Sequence, residues 1–329
     1  MLGTTTKLYG GKGMDVVTIG ESMVVFTPTS DGFMRNASHF TKKIGGAESN
    51  VAIGLARLGH HPGWISKLGD DEFGKAILGF LKAENVDVSN VTFDQQAPTG
   101  IYFKEPRRQN STRVYYYRKG SAASKLEPGD LDQEYLSKAK YLHITGITPA
   151  LSESCRGVIF EAIKIAKGNG TPVVFDPNLR TKLWDEELAR TTLLEIAALS
   201  DIILPGITEG EFLFGESDPS KLGSYFLNHG ASIVVMKMGA EGAYYFTEKE
   251  SALIPGFPVK QVVDPVGAGD GFAAGFLSGL LDGLELNKAV ERANAVGALV
   301  TMVNGDVDGL PEREEVEQLL TNNGEDVVR

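Results

Sequence analysis

Residues 264–281 read DPVGAGDGFAAGFLSGLL, a turn rich in proline and glycine that runs without interruption into an apolar segment of helical period. Glycines just before a helix let successive backbone N–H groups converge, and the positive end of the helix dipole favours an anion there. A phosphate, or a negative charge developing during a reaction, fits such a turn. Asp270 stands in the same turn and has two readings. It caps the helix, or it meets a substrate hydroxyl beside a bound phosphoryl group.

On either side of this stretch, short β-branched runs alternate with longer segments of helical period, the pattern of βαβ units and a parallel sheet covered on both faces. Strands are predicted over 16–19, 64–68, 141–144, 173–176, 202–204 and 233–236. Helices are predicted over 49–58, 71–82, 152–167, 187–199, 209–214, 221–227, 269–281 and 287–303. The expected fold class is α/β, an open, mostly parallel sheet with helices on both faces. Two stretches, 22–44 and 99–119, break the alternation, because each holds two β-rich arms with no helix between them. They are expected to form hairpins that pack together as a small β-sheet lid over the carboxyl ends of the parallel strands, where open α/β sheets bind ligands. The chain is read as a single domain over 14–322. Residues 1–13 are set aside as a tail or expression remnant, and the charged segment 312–329 is expected to end frayed.

Composition narrows the function classes. The 329 residues are 42% hydrophobic and 23% charged, enough for a substantial core and too apolar for a disordered chain. The single cysteine, Cys155, can form neither an internal disulfide nor a cysteine-based zinc cluster, so a reducing, cytoplasmic setting is expected. With 32 basic against 43 acidic side chains the net charge is −11, which disfavours nucleic acid as a partner. No apolar run approaches the roughly 20 residues that cross a bilayer, and 1–13 lack the apolar core of a secretory signal, so no membrane partner is expected. A Walker loop is absent, and the first predicted strand is followed by Gly20-Glu21-Ser22-Met23 rather than a dinucleotide fingerprint. No Gly-x-Ser-x-Gly elbow or His-Glu-x-x-His helix occurs either.

Gly45-Gly46-Ala47-Glu48-Ser49-Asn50-Val51-Ala52, followed by Ala56-Arg57-Leu58-Gly59 and Leu68-Gly69-Asp70-Asp71-Glu72-Phe73-Gly74, resembles the N-terminal signature of the ribokinase-like (PfkB-type) carbohydrate kinases. The stretch from Asp264 to Asp270 resembles that family's C-terminal signature, and the likeness extends over about 15–320. The resemblance implies a ribokinase-like fold with a β-sheet lid and transfer of a phosphoryl group from ATP to an alcohol. It makes Asp270 the base for the attacking hydroxyl and the amides of Gly267, Ala268 and Gly269 an anion hole. Gly46, Ala47, Glu48 and Asn50 fall on the substrate side. Asn178, Arg180, Lys237, Gly239, Gly242 and Asn294 fall on the nucleotide side, with Gly267 and Gly269. Where the family commonly carries Asn-x-x-Glu, this chain reads Gly206-Ile207-Thr208-Glu209, so Glu209 is carried over as a water-mediated partner of Mg²⁺. ATP and Mg²⁺ are the implied cofactors, and the resemblance also allows a monovalent cation such as K⁺. Each match has a plain alternative in the residues themselves. Ser49 or Asn50 could cap a helix, 237–242 could be an ordinary turn, Asn294 a polar residue on an exposed helix face, and Glu209 a first-turn glutamate.

The substrate is approached through charge. Residues 104–119 hold Lys104, Arg107, Arg108, Arg113, Arg118 and Lys119 against Glu105 alone, which suits an anionic substrate or, equally, a charged edge that deters aggregation. Strand alternation puts Val114, Tyr116 and Arg118 on one face. Within the family, GGAESN at 45–50, residues 115–124 and Asp176-Pro-Asn-Leu-Arg180 look most like the branch that phosphorylates 2-keto-3-deoxygluconate at its C6 hydroxyl. That likeness brings Tyr102, Tyr116 and Arg118 from the lid, Arg180 from the loop after 173–176, and Asp306. For Arg180 the alternative is a surface ion pair with Asp185 or Glu186. The partners implied are a small sugar acid and ATP, with a second copy of the chain through the lid. A neutral-sugar kinase such as a fructokinase shares the chemistry without a carboxylate clamp. A sugar- or nucleotide-binding regulator without turnover is the alternative from another class.

Overall fold

The structure is a computed structural model that describes residues 13–107 and 112–321. The expected tail at 1–12, Arg108 of the basic segment and everything from 322 onward lie outside the described residues.

Among the described residues there are thirteen strands: β1 (Val16–Ile19), β2 (Met23–Pro28), β3 (Phe40–Gly45), β4 (Pro62–Gly69), β5 (Val91–Asp94), β6 (Ile101–Pro106), β7 (Thr112–Tyr117), β8 (Tyr141–Thr145), β9 (Val173–Asp176), β10 (Ile202–Ile203), β11 (Ile233–Lys237), β12 (Gly242–Thr247) and β13 (Ser251–Pro255). The α-helices are α1 (Ala47–Arg57), α2 (Glu72–Ala83), α3 (Gln133–Ser137), α4 (Glu153–Gly168), α5 (Glu186–Leu199), α6 (Ile207–Phe214), α7 (Pro219–Asn228), α8 (Ala268–Leu281), α9 (Leu286–Val300) and α10 (Arg313–Thr321).

The main sheet runs β13-β12-β11-β10-β9-β8-β1-β4-β5 and is parallel except at β12, which runs against both neighbours. Period-2 burial explains why it needs helices on both sides. Val17 and Ile19 pack with Val158, Ile159 and Leu193 of α4 and α5, while Val16 packs with Val51, Leu55, Ala273 and Leu277 of α1 and α8. Strand order reverses at β1, with β4 on one side and β8 on the other. Such a switch opens a crevice at the carboxyl ends of the strands.

A second sheet, β3-β2-β6-β7, is made of two antiparallel hairpins joined by the parallel pair β2 and β6. The α/β fold class with an attached β-sheet is the one expected. Three strands escaped the reading of the sequence. β5 is a four-residue edge strand, and β12 and β13 form a hairpin at the other edge, where β12 is covered on both faces without a period of two and β13 alternates over only five residues. The segment expected as a charged tail instead forms α10, because Val316 buries against Leu58, Ala295 and Val296 and Arg313 reaches the Leu58 carbonyl and Asp282.

Candidate active site

The turn at 264–267 delivers α8 into the crevice. Gly267 is the N-cap of α8 with φ +83°, and a Cβ there would lie 2.6 Å from the Asp306 carbonyl oxygen, so glycine is required twice over. No side chain caps α8. The Asp270 carboxylate, in its first turn, instead accepts a 2.7 Å hydrogen bond from Asn50 Nδ2. Burial pushes Asp270 up to about 7, the Asn50 bond opposes that rise, and the Asp176 and Glu48 carboxylates add to it. An acid titrating near neutrality suits proton abstraction from an alcohol.

Asn50 is available for this role because α1 starts earlier than the sequence suggested. Gly46, not Ser49 or Asn50, is its N-cap, since any Cβ at Gly46 would collide with the Glu21 carbonyl and the Ser22 Cα. Ser49 is occupied by the Gly46 carbonyl at 3.0 Å and the Ser22 hydroxyl at 2.9 Å. Gly46, Ala47, Glu48 and Asn50 all line a cleft of about 360 Å³ with Asp270 as part of its wall. Glu48 is fully buried, its Oε1 accepting from Thr145 at 2.6 Å and Thr148 at 2.8 Å, and burial raises its acid above the ordinary glutamate range.

The first amides of a helix have no intrahelical acceptor and point out of its N-terminus. Gly267 and Gly269 reach the cleft wall. Ala268 departs from the expected trio, because its N–H donates back to the Pro265 carbonyl at 3.3 Å and the residue faces a second cavity. Beside this terminus Lys237, at the end of β11, gives a 2.6 Å bond to Asp176 at the end of β9. A Cβ at Gly269 would stand 3.9 Å from its ammonium. Burial works against the Lys237 charge, but Asp176 and Glu209 outweigh it and raise the ammonium above the usual lysine range.

Glu209 does what a first-turn glutamate does and more. Its Oε2 accepts from Gly206 N–H at 2.6 Å and its Oε1 from Leu179 N–H at 3.0 Å, so it caps α6 and pins the 176–180 loop in the same stroke. Burial, with Asp176 close by, raises its acid. In that loop Asn178 takes a left-handed backbone, φ +36°, and donates its N–H to Asp176 at 3.1 Å. Arg180 lines the cleft, whereas the two acids offered as its surface partners are engaged elsewhere: Asp185 caps α5 and Glu186 pairs with Arg190.

The lid sheet forms the opposite wall. Val114, Tyr116 and Arg118 line the cleft together, as alternation predicts. The Tyr102 hydroxyl donates to Asp306 at 2.5 Å, and burial, reinforced by that carboxylate, pushes the phenol far above its usual range. The surplus of basic charge read in 104–119 is partly cancelled in space, two of its cations meeting carboxylates of distant segments. Arg118 bonds Glu21 through Nε at 2.7 Å and Nη2 at 2.5 Å, Lys104 bonds Asp264 at 2.6 Å, and Arg107 lies 3.6 Å from Glu105. The orientation of the Arg118 guanidinium is set by Glu21 and by the Tyr116 ring 5.6 Å away.

A second, more apolar cavity of about 670 Å³ adjoins the first, and Lys237, Pro265 and Gly269 line both. Gly239, Gly242 and Asn294 open onto it. The turn reading of 237–242 holds locally, since it joins β11 to β12 through a single 3-10 turn, yet the turn is also a cavity wall. Asn294 is not on an exposed face. It is 6% exposed and ties down the end of β13 by donating to the Ile254 and Pro255 carbonyls at 3.0 and 3.1 Å.

Four side chains at the site were missed as site residues: Glu21, Lys104, Asp176 and Asp264. Asp176 and Asp264 stand inside quoted motifs, so their position was the available signal. Lys104 showed only as one charge of the basic segment and Glu21 not at all, because their partners lie 160 and 97 residues away.

The chain matches the pfkB family carbohydrate kinases over residues 14–313. It is 45% identical to a 2-dehydro-3-deoxygluconokinase of Bacillus subtilis over 94% of this chain and 96% of that one. It is 37% identical to a 2-dehydro-3-deoxygluconokinase of Thermoproteus tenax, over 93% of this chain and 94% of the other. Among solved structures, a fructokinase double mutant from Vibrio cholerae in its fructose-, ADP- and potassium-bound form superposes with a TM-score of 0.83 at 29% identity, covering 94% of this chain and all of the other. A half-buried acid at a glycine-turned helix N-terminus between two adjoining cavities, and matches that span nearly the whole chain, have one explanation: this protein belongs to the pfkB family of carbohydrate kinases.

Proposed function

We propose that this kinase transfers the γ-phosphoryl group of ATP to the C6 hydroxyl of 2-keto-3-deoxygluconate, the 2-dehydro-3-deoxygluconate of its relatives, giving 2-keto-3-deoxy-6-phosphogluconate and ADP. The observation that carries the reading is the shared wall of the two cavities at Gly269 and Lys237, next to Asp270. A sugar acid fills the polar cleft and the nucleotide fills the larger apolar cavity, so their reacting ends meet at the N-terminus of α8. Asn50 holds one oxygen of Asp270, and the carboxylate takes the C6 proton as the new O–P bond forms and the bond to the ADP oxygen breaks. The Gly267 and Gly269 amides and Lys237 stabilise the charge on the transferring group.

Mg²⁺, bound with ATP, neutralises phosphate charge. Both Glu209 oxygens are occupied by backbone amides, which fits a hold through water rather than direct ligation, with Asp176 as the neighbouring carboxylate. We extend the cofactor set to K⁺ on the example of the potassium-bound neighbour. One buried free thiol, Cys155, supports a cytoplasmic setting.

Arg118 and Arg180 give the cleft two guanidinium groups for the substrate carboxylate. Arg118→Ala is expected to raise the KM for 2-keto-3-deoxygluconate at least about 30-fold with kcat nearly unchanged, since a clamp remote from C6 gives uniform binding. Initial rates with 2-keto-3-deoxygluconate and fructose side by side check this. A wild-type preference for fructose, with Arg118→Ala silent, would make the protein a neutral-sugar kinase, and ligand binding without product would make it a regulator. The lid also carries aromatic surface on its outer edges, with Tyr117 64% and Phe40 36% exposed, and we assign a second copy of this chain to it. Sedimentation should find a dimer or larger; a monomer at working concentration overturns the assignment.

A further inference from the structure

Three side chains of the lid sheet reach the body of the protein at two neighbouring loops. Lys43 of β3 reaches Asp308 at 2.9 Å and the Asn304 carbonyl at 3.0 Å. Tyr102 of β6 bonds Asp306. Lys104, two residues further along β6 and therefore on the same face, sets its ammonium 2.6 Å from Asp264 and 3.6 Å from Asp306. Those two carboxylates bracket the turn that opens α8. Asp264 begins it and accepts the Val266 N–H at 3.1 Å, and the Asp306 main chain backs directly onto Gly267. The main chain ties the loops together as well, since Val263 N–H donates to the Thr301 carbonyl at 2.8 Å.

We propose that Lys104 is a positioning residue for phosphoryl transfer, a cation carried by the lid that holds Asp264 and Asp306 together and keeps the Gly267 turn set to receive the phosphoryl group. The proposal rests on the reading of Gly267 and Gly269 as the phosphoryl cradle. One ammonium between two carboxylates leaves a single net negative charge, all three side chains being about 12% exposed or less. Remove the ammonium and two carboxylates repel at short range in a partly dry place, loosening the turn and adding negative charge beside the site that must accept phosphates. It also makes the cradle depend on the lid, because the cation arrives on β6. Lys43 offers a built-in contrast. Its pair with Asp308 is 40% and 50% exposed, where ion pairs contribute little.

The test is steady-state kinetics on Lys104→Met, Lys104→Arg, Asp264→Asn, the Lys104→Met/Asp264→Asn double variant and Lys43→Ala, with thermal unfolding of each. Lys104→Met should lower kcat by about 30-fold or more while KM for ATP stays within about threefold, and Lys104→Arg should restore most of the loss. In the double variant the loss should be smaller than the product of the single losses, because removing one carboxylate relieves the repulsion. Lys43→Ala should stay within about threefold of wild type. Wild-type kcat in Lys104→Met, an equal loss in Lys43→Ala, or losses that simply multiply would each overturn the proposal. If Lys104→Met does not fold, Lys104→Gln carries the same comparison. Asp270→Asn separates this failure from that of the underlying reading: full turnover in Asp270→Asn removes the base and its cradle, whereas a dead Asp270→Asn with wild-type kcat in Lys104→Met removes Lys104 alone.

Discussion

Replacing Asp270 by Asn is expected to lower kcat by about 10²–10⁴-fold while leaving the protein folded and the KM values for sugar and ATP within a few-fold. The amide is nearly the same shape as the acid, and its oxygen can still accept the 2.7 Å bond from Asn50, so the cleft keeps its geometry. What disappears is the site that receives the proton. Coupled assay of ADP formation, with and without sugar, is the measurement. Retention of more than about a tenth of the wild-type kcat would place the base elsewhere.

The same residue predicts a pH profile and an opposite effect on stability. Because burial pushes Asp270 up to about 7, kcat/KM should fall about tenfold per pH unit below that point and level off above it. The folded-state acid lies above its unfolded value of 3.8, so the native state binds the extra proton between those limits. Its contribution to stability is complete below about pH 4 and is lost as pH rises through about 7. Asn at 270 carries no such loss. Its Tm should equal that of wild type near pH 4 and exceed it increasingly up to about pH 7, the reverse of its effect on turnover. A Tm difference that does not change with pH would show that the Asp270 carboxyl is not held up by its surroundings.

What could be read in the sequence follows the range of each interaction. The glycine turn before α8, the alternation that puts Val114, Tyr116 and Arg118 on one face, and the βαβ rhythm are all short-range patterns, and each places its residues where the structure has them. The hairpin of β12 and β13 was hidden because β12 shows no period of two and the alternation of β13 lasts only five residues at a sheet edge. Electrostatics was the least legible. Summing charge along 104–119 counted Lys104 and Arg118 as surplus, yet each faces a carboxylate supplied by a distant segment, Asp264 and Glu21. A local tally cannot see those pairs. It also missed that Glu21 fixes the direction of Arg118 and pairs its charge.

Two glycines of the cradle separate folding from chemistry. At Gly267 an added methyl meets both a left-handed backbone and the Asp306 carbonyl 2.6 Å away. Gly267→Ala should therefore cost about 1–3 kcal/mol of stability as well as about 10²-fold or more in kcat, because the turn itself must change. Gly269 lies inside α8 with nothing nearer its would-be Cβ than the Lys237 ammonium at 3.9 Å. Alanine there is a better helix former than glycine by about 1 kcal/mol. Yet the methyl projects from the wall shared by the two cavities, into the space assigned to the transferring phosphoryl group. Gly269→Ala should keep or raise the Tm and still lose about 10²-fold or more in kcat, with ADP affinity reduced far less than turnover. Thermal unfolding and kinetics of the two variants side by side decide the matter. Equal activity losses with unequal stability losses locate the phosphoryl group against the first turn of α8; a fully active Gly269→Ala moves it away.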